Sequence, residues 1–126
     1  MTNILLVGIG GFIGSALRYL VGGMIQQYSK SFPLGTLVVN VIGCFVIGLL
    51  IQVSESRGLF SEASRAFIFI GVLGGFTTFS SFGNETINLM NENQITNMLF
   101  NIGANVILGL LAVLLGRFTA NFLIIK

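Results

Sequence analysis

The chain has 126 residues, 54% of them hydrophobic and only 8% charged, with a formal net charge of +2 and a mean hydropathy of +0.96. A soluble domain carries about 25% charged residues, so this composition excludes a water-soluble fold, and a net charge this small implies no nucleic-acid partner. Histidine is absent, which removes imidazole from acid–base work and metal binding, and the single Cys44 excludes an internal disulfide.

In chain order, charges divide the sequence into four apolar spans, at about residues 4–24, 34–53, 65–88 and 97–122. Each is close to the ~20 residues a helix needs to cross a bilayer. Backbone groups must be satisfied internally in lipid, which leaves helices or closed barrels. Spans this long, without ten-residue alternation, are helices. The chain is therefore an all-α integral membrane protein, a single four-helix transmembrane domain over residues 1–126. No Lys or Arg precedes the first run, so it reads as a retained helix and not a cleaved signal peptide.

The connections are short. Pro33 suits the start of the second helix. Four spans put both termini on one side, with Arg57, Arg65, Arg117 and Lys126, against Lys30 and Arg18 on the other. Basic residues favour the cytoplasmic face. So slight a bias leans towards cytoplasmic termini and also allows insertion in both orientations.

Gly10 to Gly14 and Gly71 to Gly75 both contain GxxxG, which lets helix backbones approach closely. Arg18 is an ionisable group inside the first span, a pairing or functional candidate unless it snorkels to the interface; a pair with Glu85 is conceivable. Asn40 lies mid-span in the second helix, either as interhelical glue or as a donor aimed at an anion. Asn101 and Asn105, four apart, share a face of the fourth helix and read as glue or as a polar track towards water. Ser15, Thr36 and Thr86 are weaker candidates of the same kind.

Residues 71–83 hold four glycines, two threonines, two serines and three phenylalanines. Hydroxyls and freed backbone groups at membrane depth are tolerated only where they are buried in protein or line a wet cavity. Phe76, Phe79 and Phe82 recur every three residues and so share roughly one helix face, interleaved with Thr77, Thr78, Ser80 and Ser81. Phenyl rings have a positive edge, and edges along a narrow path can favour a small anion without a fixed charge.

Three stretches together resemble a known family. Gly10-Gly11-Phe12-Ile13-Gly14-Ser15-Ala16-Leu17-Arg18-Tyr19 is similar to its GGxxGAxxRY motif, with Ser15 where alanine is usual. Gly35-Thr36-Leu37-Val38-Val39-Asn40-Val41-Ile42-Gly43-Cys44-Phe45 is similar to its GTLxVNxxGxF motif. Gly74-Gly75-Phe76-Thr77-Thr78-Phe79-Ser80-Ser81-Phe82 is similar to its GGxTTFSTF motif, with Ser81 for the second threonine. The family is that of the fluoride ion channels (CrcB, or Fluc). The resemblance covers the first three helices; the fourth matches only in length and hydrophobicity.

The resemblance implies a dual-topology antiparallel homodimer with two pores, which exports fluoride passively through the cell inner (plasma) membrane and protects the cell from its toxicity. It implies a third helix broken at its centre, with Gly74 to Thr77 as the break and Phe79 to Phe82 resuming the helix. Phe79 and Phe82 would line the pore, with Asn40 as the pore asparagine and Thr78, Ser80 and Ser81 as nearby hydroxyls. The carbonyls of Gly74 and Thr77 from both subunits would hold a structural sodium ion at the dimer axis, and Arg18 would draw anions into the vestibule. Two other readings stand beside this one. A small multidrug transporter, a proton-coupled exporter, would want a mid-membrane carboxylate that the first helix lacks. A non-transporting assembly subunit would use the glycines and phenylalanines only for packing. A membrane enzyme is disfavoured, since without histidine no nucleophile–base pair can be composed.

Overall fold

The structure, a computed structural model, describes residues 1–124; Lys126 lies outside the described residues. Four helical crossings are long and apolar enough to span a membrane: Thr2–Gln26, Leu34–Arg57, Glu62–Asn91 and Ile95–Ile124. The third is bent and made of two helices. We label the helices α1 (Thr2–Gln26), α2 (Leu34–Arg57), α3 (62–76), α4 (Phe79–Asn91) and α5 (Ile95–Ile124). No strand occurs among the described residues.

Each connection is closed by local chemistry. Between α1 and α2, the Gln26 amide donates to the carbonyls of Ser29 (2.6 Å) and Phe32 (3.0 Å) and accepts from the Gly35 N–H (3.0 Å). Pro33 stands immediately before α2, where a helix has no use for its missing N–H. Gly58, with φ 61°, ends α2 in the left-handed conformation that glycine adopts at least cost. At α3, the Ser61 hydroxyl accepts from the Ser64 N–H.

The bundle is two tight helix pairs, α1 on α3 and α2 on α5. In both, small residues replace the missing hydrophobic drive between helices in lipid. A Cβ on Gly14 would overlap the Val72 carbonyl oxygen, and one on Gly116 the Phe45 carbonyl oxygen. These contacts are backbone against backbone. Arg57, Arg65 and Arg117 gather at one end: Arg57 donates to the Ile124 carbonyl (3.4 Å), Arg65 to the Ser54 hydroxyl (2.9 Å), and Arg117 lies 3.7 Å from Glu55. The outer faces are apolar and exposed, as lipid contact requires, whereas the fully buried side chains include an amide, Asn101.

The third crossing departs from expectation in detail. Residues Ala66–Leu73 wind as a π-helix, a rare form favoured at functional sites. Gly74–Phe76 returns to α geometry, and the chain then opens at Thr77 (φ −82°, ψ 159°) and Thr78 (φ −151°, ψ 119°). The break therefore falls on the threonines, and the glycine pair before them stays helical. β-Branched side chains favour extended backbone, and Thr78 serves as the N-cap of α4. Gly75 is used for proximity instead: a Cβ there would sit 2.7 Å from the Gly11 carbonyl oxygen. The break also takes Phe76 off the expected aromatic face. Phe76 is packed inside the subunit on α3, and only Phe79 and Phe82 remain paired on α4.

Candidate functional site

The site is built on that break. With Thr77 and Thr78 extended, the Thr78 N–H loses its helical partner, the Gly74 carbonyl, and one side chain takes its place. The Thr78 N–H donates to Asn40 Oδ1 (2.8 Å), and Asn40 Nδ2 donates to the Thr78 carbonyl (3.1 Å). The amide closes both backbone groups as a neighbouring strand would. Its second hydrogen goes to Asn105 Oδ1 on α5 (3.0 Å). An asparagine amide has two hydrogens, so both of Asn40's are committed inside the subunit.

The hydroxyls form a second cluster. Thr78 Oγ1 accepts from the Ser81 N–H (3.1 Å), capping α4, and donates to Ser81 Oγ (3.1 Å). Its one hydrogen thus spent, the 3.2 Å contact with Ser80 has Ser80 as donor. The hydrogen of the Ser81 hydroxyl is left without an acceptor among the described residues.

Two cavities flank Thr78, which lines both. The first, of about 350 Å³, is walled by Asn40, Cys44, Leu73, Gly74, Thr77, Phe79, Phe82 and Asn105, among others, and no charged side chain lines it. The Phe79 and Phe82 rings lie 5.4 Å apart at 56°. Phe82 is buried, whereas Phe79 is 83% exposed in the single subunit. The second cavity, of about 310 Å³, is polar: Arg18, Tyr19, Thr36, Ser81 and Glu85 line it. Glu85 Oε1 accepts from the Thr36 hydroxyl (2.7 Å), a pairing the sequence did not suggest, and Oε2 is buried without a partner. Arg18 does not pair with Glu85; it donates to the Thr77 carbonyl (3.2 Å). Among the described residues the one ion pair is Arg117–Glu55.

The break supplies oxygens suited to a hard cation. In an unbroken helix the Gly74 carbonyl would accept from Thr78 and the Thr77 carbonyl from Ser81. Those two N–H groups go to Asn40 and to the Thr78 hydroxyl instead. Two carbonyls on one turn are thereby freed, the chemistry that sodium takes at broken membrane helices. Arg18 occupies one lone pair of the Thr77 oxygen, and Gly74 is exposed on the subunit surface.

The remaining candidates divide. Ser15 is spent on its own helix, donating towards the Gly11 and Phe12 carbonyls (2.8 and 3.1 Å). Asn105 Nδ2 donates to the Asn101 carbonyl and to Asn101 Oδ1 (both 3.0 Å), and Asn101 Nδ2 donates to the Thr86 hydroxyl (3.0 Å). Thr86 donates to the Phe82 carbonyl (2.7 Å). The four-residue spacing 101–105 was visible in the sequence; its connection to Thr86 and Phe82 on α4 was not.

Comparison with known proteins bears on these motifs directly. The profile of the family described as CrcB-like protein, Camphor Resistance (CrcB), matches residues 5–117. A protein of Methanosarcina barkeri named fluoride-specific ion channel FluC 3 is 48% identical over 120 residues, covering 95% of this chain and 91% of that one. One of Shewanella pealeana, named fluoride-specific ion channel FluC, is 42% identical over 118 residues (93% and 94%). Another of that name, from Clostridium novyi, is 40% identical over 114 residues (90% and 89%).

Proposed function

The chain belongs to the CrcB-like family, and from that premise we propose that it is a fluoride-selective ion channel. It is a multi-pass membrane protein. It would carry fluoride passively out through the plasma membrane, down the electrochemical gradient, so that the ion does not accumulate in the cell. The observation that carries this reading is the uncharged groove at the helix break, where two phenyl rings stand beside Thr77 and Thr78.

The chemistry suits a small, strongly hydrated anion. Fluoride entering the groove must exchange water for other donors. The positive edges of Phe79 and Phe82 are available in the groove, and the Ser81 hydroxyl, its hydrogen unspent, stands in the adjoining cavity on the other side of Thr78. None of these groups carries charge. A guanidinium or ammonium in the path would hold the ion more strongly, and conduction needs binding weak enough to release it. Arg18 lines the neighbouring polar cavity, from which it would raise the local anion concentration without entering the groove.

Phe79 is largely bare in one subunit, and the exterior is apolar. An antiparallel second copy would cover that ring and complete two pores per dimer. At the axis, the Gly74 and Thr77 carbonyls of both subunits would hold a sodium ion, which when bound supplies positive charge that braces the two broken helices.

The test is efflux of fluoride from liposomes containing only the purified protein, followed with a fluoride electrode and with chloride as the control. The unmodified protein should release fluoride and retain chloride. Phe79→Ile and Phe82→Ile should each block release while the dimer still forms on gel filtration. Wild-type-like release from both variants would remove the rings from the path; proton-driven drug export with no fluoride release would favour the multidrug-transporter reading.

A further inference from the structure

The hydrogen bonds around Asn101 and Asn105 form one directed chain. Asn40 on α2 donates to Asn105 on α5, Asn105 to Asn101, Asn101 to Thr86 on α4, and Thr86 to the Phe82 carbonyl. Every link lies between 2.7 and 3.0 Å. Asn101 is 0% exposed and Thr86 7%. We propose that Asn105, Asn101 and Thr86 are positioning residues for conduction: they fix the orientation of the Asn40 amide and the rotation of α4, and with it the ring of Phe82.

The argument rests on where α4 begins. The helix starts after two extended residues, so the peptide backbone does not transmit the orientation of α3 to it. It packs chiefly on α5. Apolar contact alone leaves a helix free to rotate by small angles, whereas a buried amide must keep its partners or lose the hydrogen bond outright. The chain meets α4 at Thr86, one turn beyond Phe82, and bonds the carbonyl of the very residue whose ring faces the groove. At its other end it holds the amide that closes Thr78. Both walls of the groove are thus set by one row of donors, and the row has a direction. An amide turned over at Asn105 would set two acceptors, its own oxygen and that of Asn101, against each other.

This rests on the channel reading above. The test uses the purified protein with Thr86→Val, Thr86→Ser and Asn105→Leu, reconstituted at equal amounts of folded dimer, with fluoride and chloride efflux measured on each. Thr86→Val keeps the side-chain volume and removes the hydroxyl; Thr86→Ser keeps the hydroxyl. Thr86→Val and Asn105→Leu should each lose about tenfold in fluoride rate, the size of one buried hydrogen bond, and their fluoride-to-chloride ratio should fall. Thr86→Ser should stay within about twofold of the parent. A chain that merely glued the bundle would change the yield of folded dimer and leave the ratio untouched. Parent-like rates and ratio in Thr86→Val overturn the proposal; so does an equal loss in Thr86→Ser, and so does a Thr86→Val protein that does not fold. If Asn105→Leu does not fold, the two Thr86 variants decide. If the unmodified protein passes no fluoride, the channel reading fails and takes this proposal with it; a conducting parent with unchanged variants fails the proposal alone.

Discussion

Asn40→Ala is the substitution that most directly probes the break. It removes three hydrogen bonds, to the Thr78 N–H (2.8 Å), the Thr78 carbonyl (3.1 Å) and Asn105 Oδ1 (3.0 Å). Side-chain bonds between membrane helices average ~0.6 kcal/mol, so the three together contribute about 2 kcal/mol. The larger cost lies in what remains. Thr78 is 8% exposed, and its N–H has no helical partner to return to while Thr77 and Thr78 stay extended. A buried polar group left unsatisfied costs ~1–3 kcal/mol. We expect Asn40→Ala to destabilise the folded protein by about 2–4 kcal/mol and to abolish fluoride efflux, because the residue that separates the two cavities is no longer held. The assay is reversible unfolding in SDS-titrated mixed micelles, followed by circular dichroism, with efflux measured on the same preparations. Gln52→Ala is the control: its bonds to Ser56 and Arg117 are 3.4 and 3.5 Å long, and it should change stability by less than about 0.5 kcal/mol. A loss in Asn40→Ala no larger than that control would refute the clamp.

Three further outcomes follow from the geometry. Gly14→Ala should cost ~1–3 kcal/mol by forcing α1 off the Val72 carbonyl, while Gly23→Ala, with nothing within 4 Å of its added methyl in the subunit, should be neutral or stabilising; unfolding in mixed micelles separates them. Gln26→Ala strips the α1–α2 connection of three bonds and should cost about 2 kcal/mol, with proteolysis near residues 29–32 accelerating in step. Exchange of sodium for a bulky organic cation should slow fluoride efflux and loosen the dimer on gel filtration; identical behaviour in the two media would count against Gly74 and Thr77 as ligands.

The crossings were legible because lipid makes the rule simple. Charge is expensive in hydrocarbon, so Arg57, Glu62 and Glu92 mark where the apolar spans must end, and a helix is the element that satisfies its own backbone there. The glycines were legible as packing residues for the same reason: small residues are what lets helices meet in lipid. What the sequence did not disclose was which of two roles a residue plays when both use the same chemistry. The resemblance put the break at Gly74 to Thr77, yet Gly74 and Gly75 stay helical, Gly75 is needed against Gly11, and the chain opens at Thr77 and Thr78. The π-wound turns over Ala66–Leu73 carry no composition signal of their own. Nor did Thr36 and Glu85 point to each other, since their 49-residue separation is closed only by the approach of α2 to α4.

Asn40 shows why that ambiguity matters for mechanism. From its position alone, an amide in mid-membrane is either glue or an anion donor. The structure spends both of its hydrogens on Thr78 and Asn105, and through Asn105 engages Asn101 and Thr86 as well. The strongest neutral donors near the groove are thereby committed to the protein itself. On the channel reading, fluoride in the groove then meets what is left over: the edges of two phenyl rings, with a serine hydroxyl in the adjoining cavity, neither strong enough to trap it. An amide free to turn towards the ion would bind it more tightly and release it more slowly. Holding Asn40 in place and keeping the path weakly binding are, on this geometry, the same act.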